Sequence, residues 1–318
     1  MKSKILYIIS IIMILLTFAG CSSQTQGTDS IASGKLKVMT TLFPYYDFVR
    51  QIAGDRVELT LLVPSGKDTH SFEPTPSDMI SIQKSDLFIY NGGELETWVD
   101  KILSSIDTDN VTTVSMLDSI DLLEEELAEG MEEEDAHDDG EETEYDEHIW
   151  TSPKNAVKLI HVITETLAEA DPDNSSVYRT NAENYIRQLN ELDADFTDTV
   201  TTASRKIIVL GDKFPLLYFT NDYDLDYRAA FSGCSTDTEP SVETLAYLIN
   251  LVKEQDIPVV YYLELSSHSI ADAISEATGA KSLLFHSCHN ISTEDFESGV
   301  TYMQLMKQNV ENLKEGLN

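Results

Sequence analysis

The sequence has few positively charged residues. Its 318 residues include 21 Lys and Arg but 56 Asp and Glu, which gives a formal net charge of −35. A surface of this charge repels the phosphate backbone of nucleic acids, so we expect no nucleic-acid partner. It attracts cations, including metal ions, through a long-range field that salt screens. Solubility alone could also account for the acidity, so charge by itself identifies no function.

The sequence also lacks the short motifs of common hydrolases. It contains no His-Glu-x-x-His, which places two zinc ligands on one helix face, and no Gly-x-Ser-x-Gly nucleophile motif. A secreted zinc hydrolase, whose metal has three protein ligands and a water molecule, is therefore a weak alternative. We predict that the chain is not an enzyme.

The N-terminus carries a strongly apolar run that is short for a membrane span. Residues 5–16 are almost wholly apolar and follow the positive charges of Lys2 and Lys4. A transmembrane helix needs about 20 such residues. The pattern instead predicts a secretory signal peptide over residues 1–20, with an uncleaved membrane anchor as the alternative.

A cysteine stands directly after the predicted signal peptide. Cys21 follows Ala19-Gly20, an arrangement that resembles the bacterial lipobox. We therefore predict that Cys21 is lipidated and becomes the mature N-terminus. Residues 21–34 are polar and form a flexible tether. The rest of the chain is then extracytoplasmic and held at the cell membrane.

Cysteine is otherwise scarce, with three residues in the whole chain. Apart from Cys21, the sequence has Cys234 and Cys288. In an oxidising compartment an even pair predicts a disulfide, here Cys234–Cys288. Two buried thiols are the alternative.

Strand-like and helix-like patterns alternate in both halves of the chain, which predicts parallel sheets built from βα units. Between the halves, an apolar stripe runs from Tyr178 to Phe196 without Gly or Pro. A helix of about 28 residues spans roughly 40 Å, longer than one lobe. We predict an α/β N-terminal lobe at 35–173, a linking helix at 174–204 and an α/β C-terminal lobe at 205–318.

An acidic segment interrupts the N-terminal lobe at residues 121–147. It is mostly Glu and Asp, has no Lys or Arg, and contains His137. A run of like charges this dense is typically solvated and disordered, so we expect a mobile loop. His137 is expected to meet metal ions only transiently.

Two histidines flank this acidic segment. His70 precedes Thr75-Pro76, and His148 precedes Ser152-Pro153, so each lies where a loop becomes a Pro-started helix. Loop-borne imidazoles held by rigid flanking elements are suited to metal binding. These two residues are the first candidate metal ligands.

The C-terminal half offers further candidates at the ends of its predicted strands. Ligands of parallel sheets bind beyond the carboxyl ends of the strands. His286 ends the last predicted strand, and His289 lies three residues further on. Asp212 and Glu264 also fall at strand ends and are the alternative metal ligands. The remaining histidines, His161 and His268, are expected to be surface or structural residues.

Several motifs in order resemble one family. They are His70 to Asp78 (HSFEPTPSD), Tyr90-Asn91-Gly92, His148-Ile149-Trp150 with Pro153-Lys154-Asn155, Glu239-Pro240-Ser241, and Gln308 to Leu313 (QNVENL). Together they resemble the zinc and manganese receptors of ABC importers, the cluster A-I solute-binding lipoproteins. The resemblance covers nearly the whole mature chain. It implies two α/β lobes with parallel sheets, joined by a long rigid helix, with one metal in the interlobe cleft and an ABC permease as the membrane partner. We expect a monomer.

The resemblance also implies a ligand set, which this sequence changes in the C-terminal lobe. The family's first and second ligands match His70 and His148. The third, a His or Glu after the first strand of the C-terminal lobe, matches Gly211, which has no side chain. The fourth follows the last strand, where His286 and then His289 stand. We predict His70, His148, His286 and His289 as metal ligands.

The predicted ligand types favour zinc. Three or four imidazoles suit tetrahedral Zn²⁺, whereas carboxylate-rich sets suit Mn²⁺. We therefore predict a lipoprotein that captures zinc for an ABC importer. A manganese receptor of the same family is the main alternative. A surface adhesin shares the lipid anchor but predicts no need for metal.

Overall fold

The structure is a computed structural model that describes residues 34–67, 69, 71–125, 127–131, 144–233 and 239–318. The predicted signal peptide and Cys21 lie outside the described residues, as do His70, His137 and Cys234. Lys35–Asn318 form one compact unit. Within the described ranges, no helix is both long enough and apolar enough to span a membrane.

The N-terminal lobe is a four-stranded parallel sheet. Its strands are β1 (Leu36–Thr40), β2 (Val57–Leu61), β3 (Leu87–Tyr90) and β4 (Thr112–Ser115), in the order β2-β1-β3-β4. The connecting helices are α1 (Phe43–Ala53), α2 (Pro76–Gln83) and α3 (Thr97–Leu103). In β1, β2 and β3 the carboxyl ends point to one edge, so the loops that follow them gather there.

Two helix caps fix the loops that carry the N-terminal candidate ligands. Thr75 and Asp78 form a capping box at the start of α2, with Pro76 at the first helical position. Ser152 accepts a hydrogen bond from the backbone N–H of Asn155 at 3.0 Å and caps α4 (Pro153–Ala170). Each cap supplies acceptors for otherwise unpaired N–H groups, so each loop ends at a defined point.

The C-terminal lobe repeats this architecture. Its strands are β5 (Ile207–Leu210), β6 (Asp226–Ala229), β7 (Val259–Tyr262) and β8 (Lys281–Leu284), all parallel, in the order β6-β5-β7-β8. The helices of this half are α6 (Leu217–Tyr223), α7 (Val242–Glu254), α8 (Ser269–Thr278), α9 (Thr293–Ser298) and α10 (Tyr302–Leu317), whereas α5 (Ser175–Thr202) joins the lobes. The prediction of two α/β lobes with parallel sheets and a long connecting helix is confirmed.

The connecting helix α5 has 28 residues and therefore a length of roughly 42 Å at 1.5 Å per residue. It packs against α1, α4 and α10. One continuous cluster of buried apolar side chains runs from Val38 in β1 through Leu189 in α5 to Leu210 in β5. Because the lobes share a hydrophobic core, they are held far more firmly than domains joined by a linker alone.

The ends of the acidic segment are not the free loop that we expected. Glu124 and Tyr145 form an antiparallel bridge, and the backbone N–H of Glu125 donates to the carbonyl of Glu144 at 2.9 Å. The carboxylate of Glu125 accepts the backbone N–H of Gly233 in the C-terminal lobe at 2.7 Å. These contacts fix both ends of the segment, because pairing and an interlobe hydrogen bond outweigh the repulsion of like charges there. Residues 126 and 132–143 lie outside the described residues.

Candidate metal centre

A cavity of about 530 Å³ lies between the two lobes at the carboxyl ends of their strands. Thr69 and His148 line it from the N-terminal lobe, and Asp212, Glu264 and His289 line it from the C-terminal lobe. The cavity therefore has the position that the sequence predicts for a metal site. His286 is not among its lining residues.

His148 is held by the last residues of the acidic segment. Its side chain is 1% exposed, and its backbone N–H donates to Oδ1 of Asp146 at 2.8 Å. The same carboxylate oxygen lies 3.5 Å from Nδ1 of the imidazole. The Asp146 carboxylate thus lies on the Nδ1 side of the ring, the side on which carboxylates stand behind many metal-binding histidines, which makes Nε2 the candidate metal-binding nitrogen.

His289 lies in the loop after β8. Its backbone N–H donates to Oε1 of Glu264 at 3.1 Å, and the same carboxylate accepts the backbone N–H of Ser287 at 2.7 Å. Cys288, between them, has a positive φ of 62°, a backbone conformation that non-glycine residues adopt rarely. This conformation and the Glu264 anchor hold the loop in which His289 lines the cavity.

The rings of His148 and His289 meet across the cleft. Their centroids are 5.5 Å apart and their planes are nearly perpendicular, at 87°. Two imidazoles on one tetrahedral zinc, with Zn–N bonds of about 2.0–2.1 Å, have centroids roughly 5 Å apart. The spacing therefore suits a shared metal ion. Among the described residues, however, no group of three or more His, Cys, Asp or Glu side chains forms a complete metal site.

The loop that leads to His70 is bonded to the loop of His289. Asn290 Nδ2 donates to the carbonyl oxygens of Pro64 and Lys67, at 3.0 and 2.7 Å. The hydroxyl of Thr69, the residue before His70, is hydrogen-bonded to Nε2 of His289. His70 itself lies outside the described residues. Its neighbour nevertheless reaches a predicted ligand of the other lobe.

His286 has a different environment from His289. Its side chain is 6% exposed, and Nδ1 accepts the backbone N–H of Cys288 at 2.9 Å. Asn309 on α10 bonds both its backbone N–H and its carbonyl, each at 2.8 Å. These contacts secure the turn after β8 and place His286 in its interior. The structure therefore places His148 and His289 at the cavity together, whereas His286 is not among the residues that line it.

The two alternative carboxylates are engaged by backbone N–H groups. Asp212 accepts from Leu263 at 3.1 Å and from Lys213 at 2.9 Å. Glu264 accepts from Ser287 and His289, as described above. Both line the cavity, but their hydrogen bonds give them a role in shaping its loops.

Gly211 is packed against a helix. A Cβ atom built on it would lie 2.6 Å from both the backbone nitrogen and the Cα of Ala271, in α8. Real Cβ atoms do not approach backbone this closely, so α8 occupies the space that a side chain at this position would need. The absence of a ligand at 211 is therefore built into the packing of the C-terminal lobe.

A buried carboxylate supports the backbone before His148. Glu96 is 2% exposed, and its Oε2 accepts the backbone N–H groups of Asn91 and Gly92, at 2.7 and 3.1 Å. Asn91 Nδ2 in turn donates to the carbonyl of Glu147, at 3.2 Å. Burial raises the pKa of Glu96 to about 7, against the lowering effect of its hydrogen bonds.

Glu147 binds the same loop directly. Its carboxylate accepts the backbone N–H groups of Glu94 and Leu95, at 2.5 and 2.7 Å. A Cβ on Gly93 would lie 2.1 Å from this carboxylate, so only glycine fits, at a φ of +75°. Burial raises the pKa of Glu147. The sequence predicts no role for Glu96. It predicts none for Asp146 or Glu147 either, because composition does not distinguish these two residues from the rest of the acidic segment.

The other predicted residues have simple placements. His161 is exposed on α4, and His268 is exposed and stacked on Tyr262, with centroids 4.0 Å apart. Cys288 is fully buried and is the only cysteine among the described residues, where its thiol is free. Because Cys234 lies outside those residues, the Cys234–Cys288 disulfide stays a prediction.

Two parallel α/β lobes joined by a long helix, with paired imidazoles in the cleft between them, define a two-lobed solute-binding protein. A family model described as ZnuA, zinc-uptake complex component A, periplasmic, matches residues 38–316. The chain belongs to this family. The resemblance inferred from the motifs is confirmed.

Individual relatives agree. The chain is 35% identical over 316 residues to the high-affinity zinc uptake system protein ZnuA of Bacillus subtilis (strain 168), covering 98% of this chain and 97% of the relative. It is 35% identical over 303 residues to the zinc-binding lipoprotein AdcA of Streptococcus pneumoniae (strain ATCC BAA-255 / R6), covering 94% of this chain but 58% of that protein. The chain thus spans somewhat over half the length of the pneumococcal relative.

Solved structures share the fold. The metal-dependent lipoprotein YcdH from Bacillus subtilis superposes with a TM-score of 0.76 at 34% identity, over 89% of this chain and 100% of that one. The Zn(II)-bound ZnuA-like domain of Streptococcus pneumoniae AdcA gives a TM-score of 0.74 at 32% identity, over 89% and 99%.

Proposed function

We propose that this protein captures Zn²⁺ outside the cytoplasm and delivers it to the permease of an ABC importer. The observation that carries the proposal is the 5.5 Å approach of His148 and His289, one from each lobe, in the interlobe cavity. The names of the relatives, a zinc uptake protein and a zinc-binding lipoprotein, support zinc as the transported ion.

The proposed ligands are His70, His148 and His289. Thr69 supports the inclusion of His70, because it already contacts the His289 ring. We propose that His286 positions the turn rather than binding the metal. Asp212 and Glu264 remain the alternative ligands. Since imidazole binds metal only in its neutral form, zinc affinity should fall as the pH is lowered.

The ligand set bears on the alternative functions. Three neutral imidazoles favour Zn²⁺ over Mn²⁺, which prefers oxygen ligands. An adhesin would not need imidazoles paired across a cleft, so adhesion is not proposed as the main function. The family consists of zinc-uptake components, which agrees with the prediction that the chain is not an enzyme.

The location and partners follow from this function. A receptor of an importer works outside the cytoplasm beside its permease, and relatives are named lipoproteins. We propose residues 1–20 as signal peptide, 21–34 as tether with lipid on Cys21, 35–173 and 205–318 as lobes, and 174–204 as linker. A monomeric state stays a prediction.

The test is the metal content of protein purified without added metal, followed by competitive titration with Zn²⁺ and Mn²⁺. We expect one tight zinc per chain and weaker manganese binding. Tighter binding of Mn²⁺ would contradict the choice of metal. Binding of neither ion would contradict the function.

A further inference from the structure

The root of the acidic segment crosses from the N-terminal lobe to the C-terminal lobe beside the metal cavity. We call this root the clasp and define it as residues 123–125 and 129–131 on the outgoing side and 144–146 on the returning side. Asp146, at the end of the returning side, is the residue that holds His148.

The returning side is bonded both to the outgoing side and to the C-terminal lobe. The backbone N–H of Asp146 donates to the carbonyl of Leu123 at 3.0 Å. The hydroxyl of Tyr218, on α6, donates to the carbonyl of Asp146 at 2.8 Å and accepts the backbone N–H of Leu123 at 3.2 Å. One phenol therefore ties both sides of the clasp to the C-terminal lobe.

The outgoing side makes its own contacts with that lobe. The Glu125 carboxylate accepts the backbone N–H of Gly233, which also lines the metal cavity. Further out, Gly130 lies against the ring of Tyr247 so closely that a Cβ would be 2.2 Å from it. Glu129 lies 3.8 Å from Arg228, but this carboxylate is 76% exposed, so the ion pair contributes little to the contact.

We propose that the clasp is an interlobe fastening that positions His148 and slows the release of zinc. This inference rests on the proposed function. Zinc bound to His148 and His289 joins the two lobes through its ligands. The clasp joins the same lobes a few residues from His148, through Tyr218 and Gly233. A ligand whose backbone is already held by two contacts loses less conformational entropy when the metal binds. The metal therefore dissociates from it more slowly.

The test measures zinc dissociation by stopped flow into a chromogenic chelator. Tyr218→Phe removes only the hydroxyl, and Glu125→Ala removes the acceptor for Gly233. We expect each to speed dissociation by about three- to tenfold, the effect of losing the two hydrogen bonds of the Tyr218 hydroxyl or the one of Glu125, with little change in the association rate. A general loss of folding would instead reduce the amount of competent protein, which the amplitude measures.

Two further variants distinguish the effect of the Glu125–Gly233 hydrogen bond from the effect of negative charge in the acidic segment. Glu125→Gln keeps an acceptor oxygen for Gly233 but removes the charge, and it should release zinc at nearly the parent rate. Replacing residues 132–143 with a Gly-Ser sequence of equal length removes acidic residues outside the clasp and should also leave the rate unchanged. If Glu125→Gln behaves like Glu125→Ala, or if Tyr218→Phe and Glu125→Ala match the parent, the clasp proposal is wrong. A parent protein that binds no zinc would instead refute the proposed function.

Discussion

His148 and Trp150 form an edge-to-face pair, with ring centroids 5.5 Å apart, and the Trp150 ring lies 5.1 Å from His289 as well. The Trp150 Nε1–H donates to the carbonyl of Ser287 at 2.9 Å, which ties this ring to the loop of His289. One indole therefore touches both imidazoles that we propose as ligands and joins the two lobes behind them.

Tryptophan fluorescence should report zinc binding through Trp150. The sequence has two tryptophans, and the other, Trp98, lies on α3 against Phe72. We expect Trp98→Phe to retain an emission change that saturates at one zinc per chain. Trp150→Phe should lose that change even where calorimetry still detects zinc. If Trp98→Phe loses the zinc-dependent change and Trp150→Phe keeps it, the placement of the site beside Trp150 is contradicted.

The buried Glu96 should make stability depend on pH. Burial raises its pKa in the fold to about 7, above the ordinary 4.5 of a glutamate, so the protonated acid is favoured in the fold. The contribution of Glu96 to the free energy of unfolding is full below pH 4.5, because the carboxyl is then protonated in both the folded and the unfolded state. This contribution is lost as the pH rises through 7. The free energy of unfolding of Glu96→Gln, relative to that of the parent, should therefore be higher at pH 8 than at pH 5 by on the order of 2–3 kcal/mol.

The measurement is the free energy of unfolding by denaturant at both pH values. Glu94→Gln, which changes an exposed carboxylate in the same loop, is the matched control and should show no such gain. A constant difference between Glu96→Gln and the parent at the two pH values would show that Glu96 is already ionised in the fold at pH 5.

Gly211 should tolerate no side chain. Gly211→Ala places a Cβ against the backbone of Ala271, and we expect the free energy of unfolding to fall by roughly 1–3 kcal/mol. Ala271→Gly should not rescue it, because the nearest atoms, at 2.6 Å, are the backbone nitrogen and Cα.

Gly211→His should likewise fail to strengthen zinc binding, although it restores the residue type that the resemblance implies at this position. The measurements are denaturant unfolding and zinc titration. An unaltered stability of Gly211→Ala, or tighter zinc binding by Gly211→His, would contradict this account of the helix packing.

The two-lobed fold could be predicted because its signals are long and local. The apolar stripe of α5 continues for many turns, and the Pro-started helices α2 and α4 have clear caps. Helix α6 has only seven residues, too few for a periodic pattern, so the sequence does not predict it. Nor does the sequence predict the role of Tyr218 on this helix.

The site was predictable only in part. The sequence places His286 and His289 in one loop, but the direction of each ring depends on the positive φ of Cys288 and on the Glu264 anchor. Neither is visible in a local pattern. The acidic segment presented a second difficulty, because the pairing of Glu124 with Tyr145 joins distant residues. Composition alone could not separate its fixed ends from the residues between them.

The most direct test of the account compares zinc affinity in His289→Ala and His286→Ala, two changes of the same kind three residues apart. We expect His289→Ala to weaken zinc binding at least about tenfold, or 1.4 kcal/mol, in a competition titration against a chelator of known affinity. His286→Ala should weaken it less. If His289→Ala binds zinc like the parent, or if His286→Ala has the larger effect, the imidazole pair across the cleft is not the metal site.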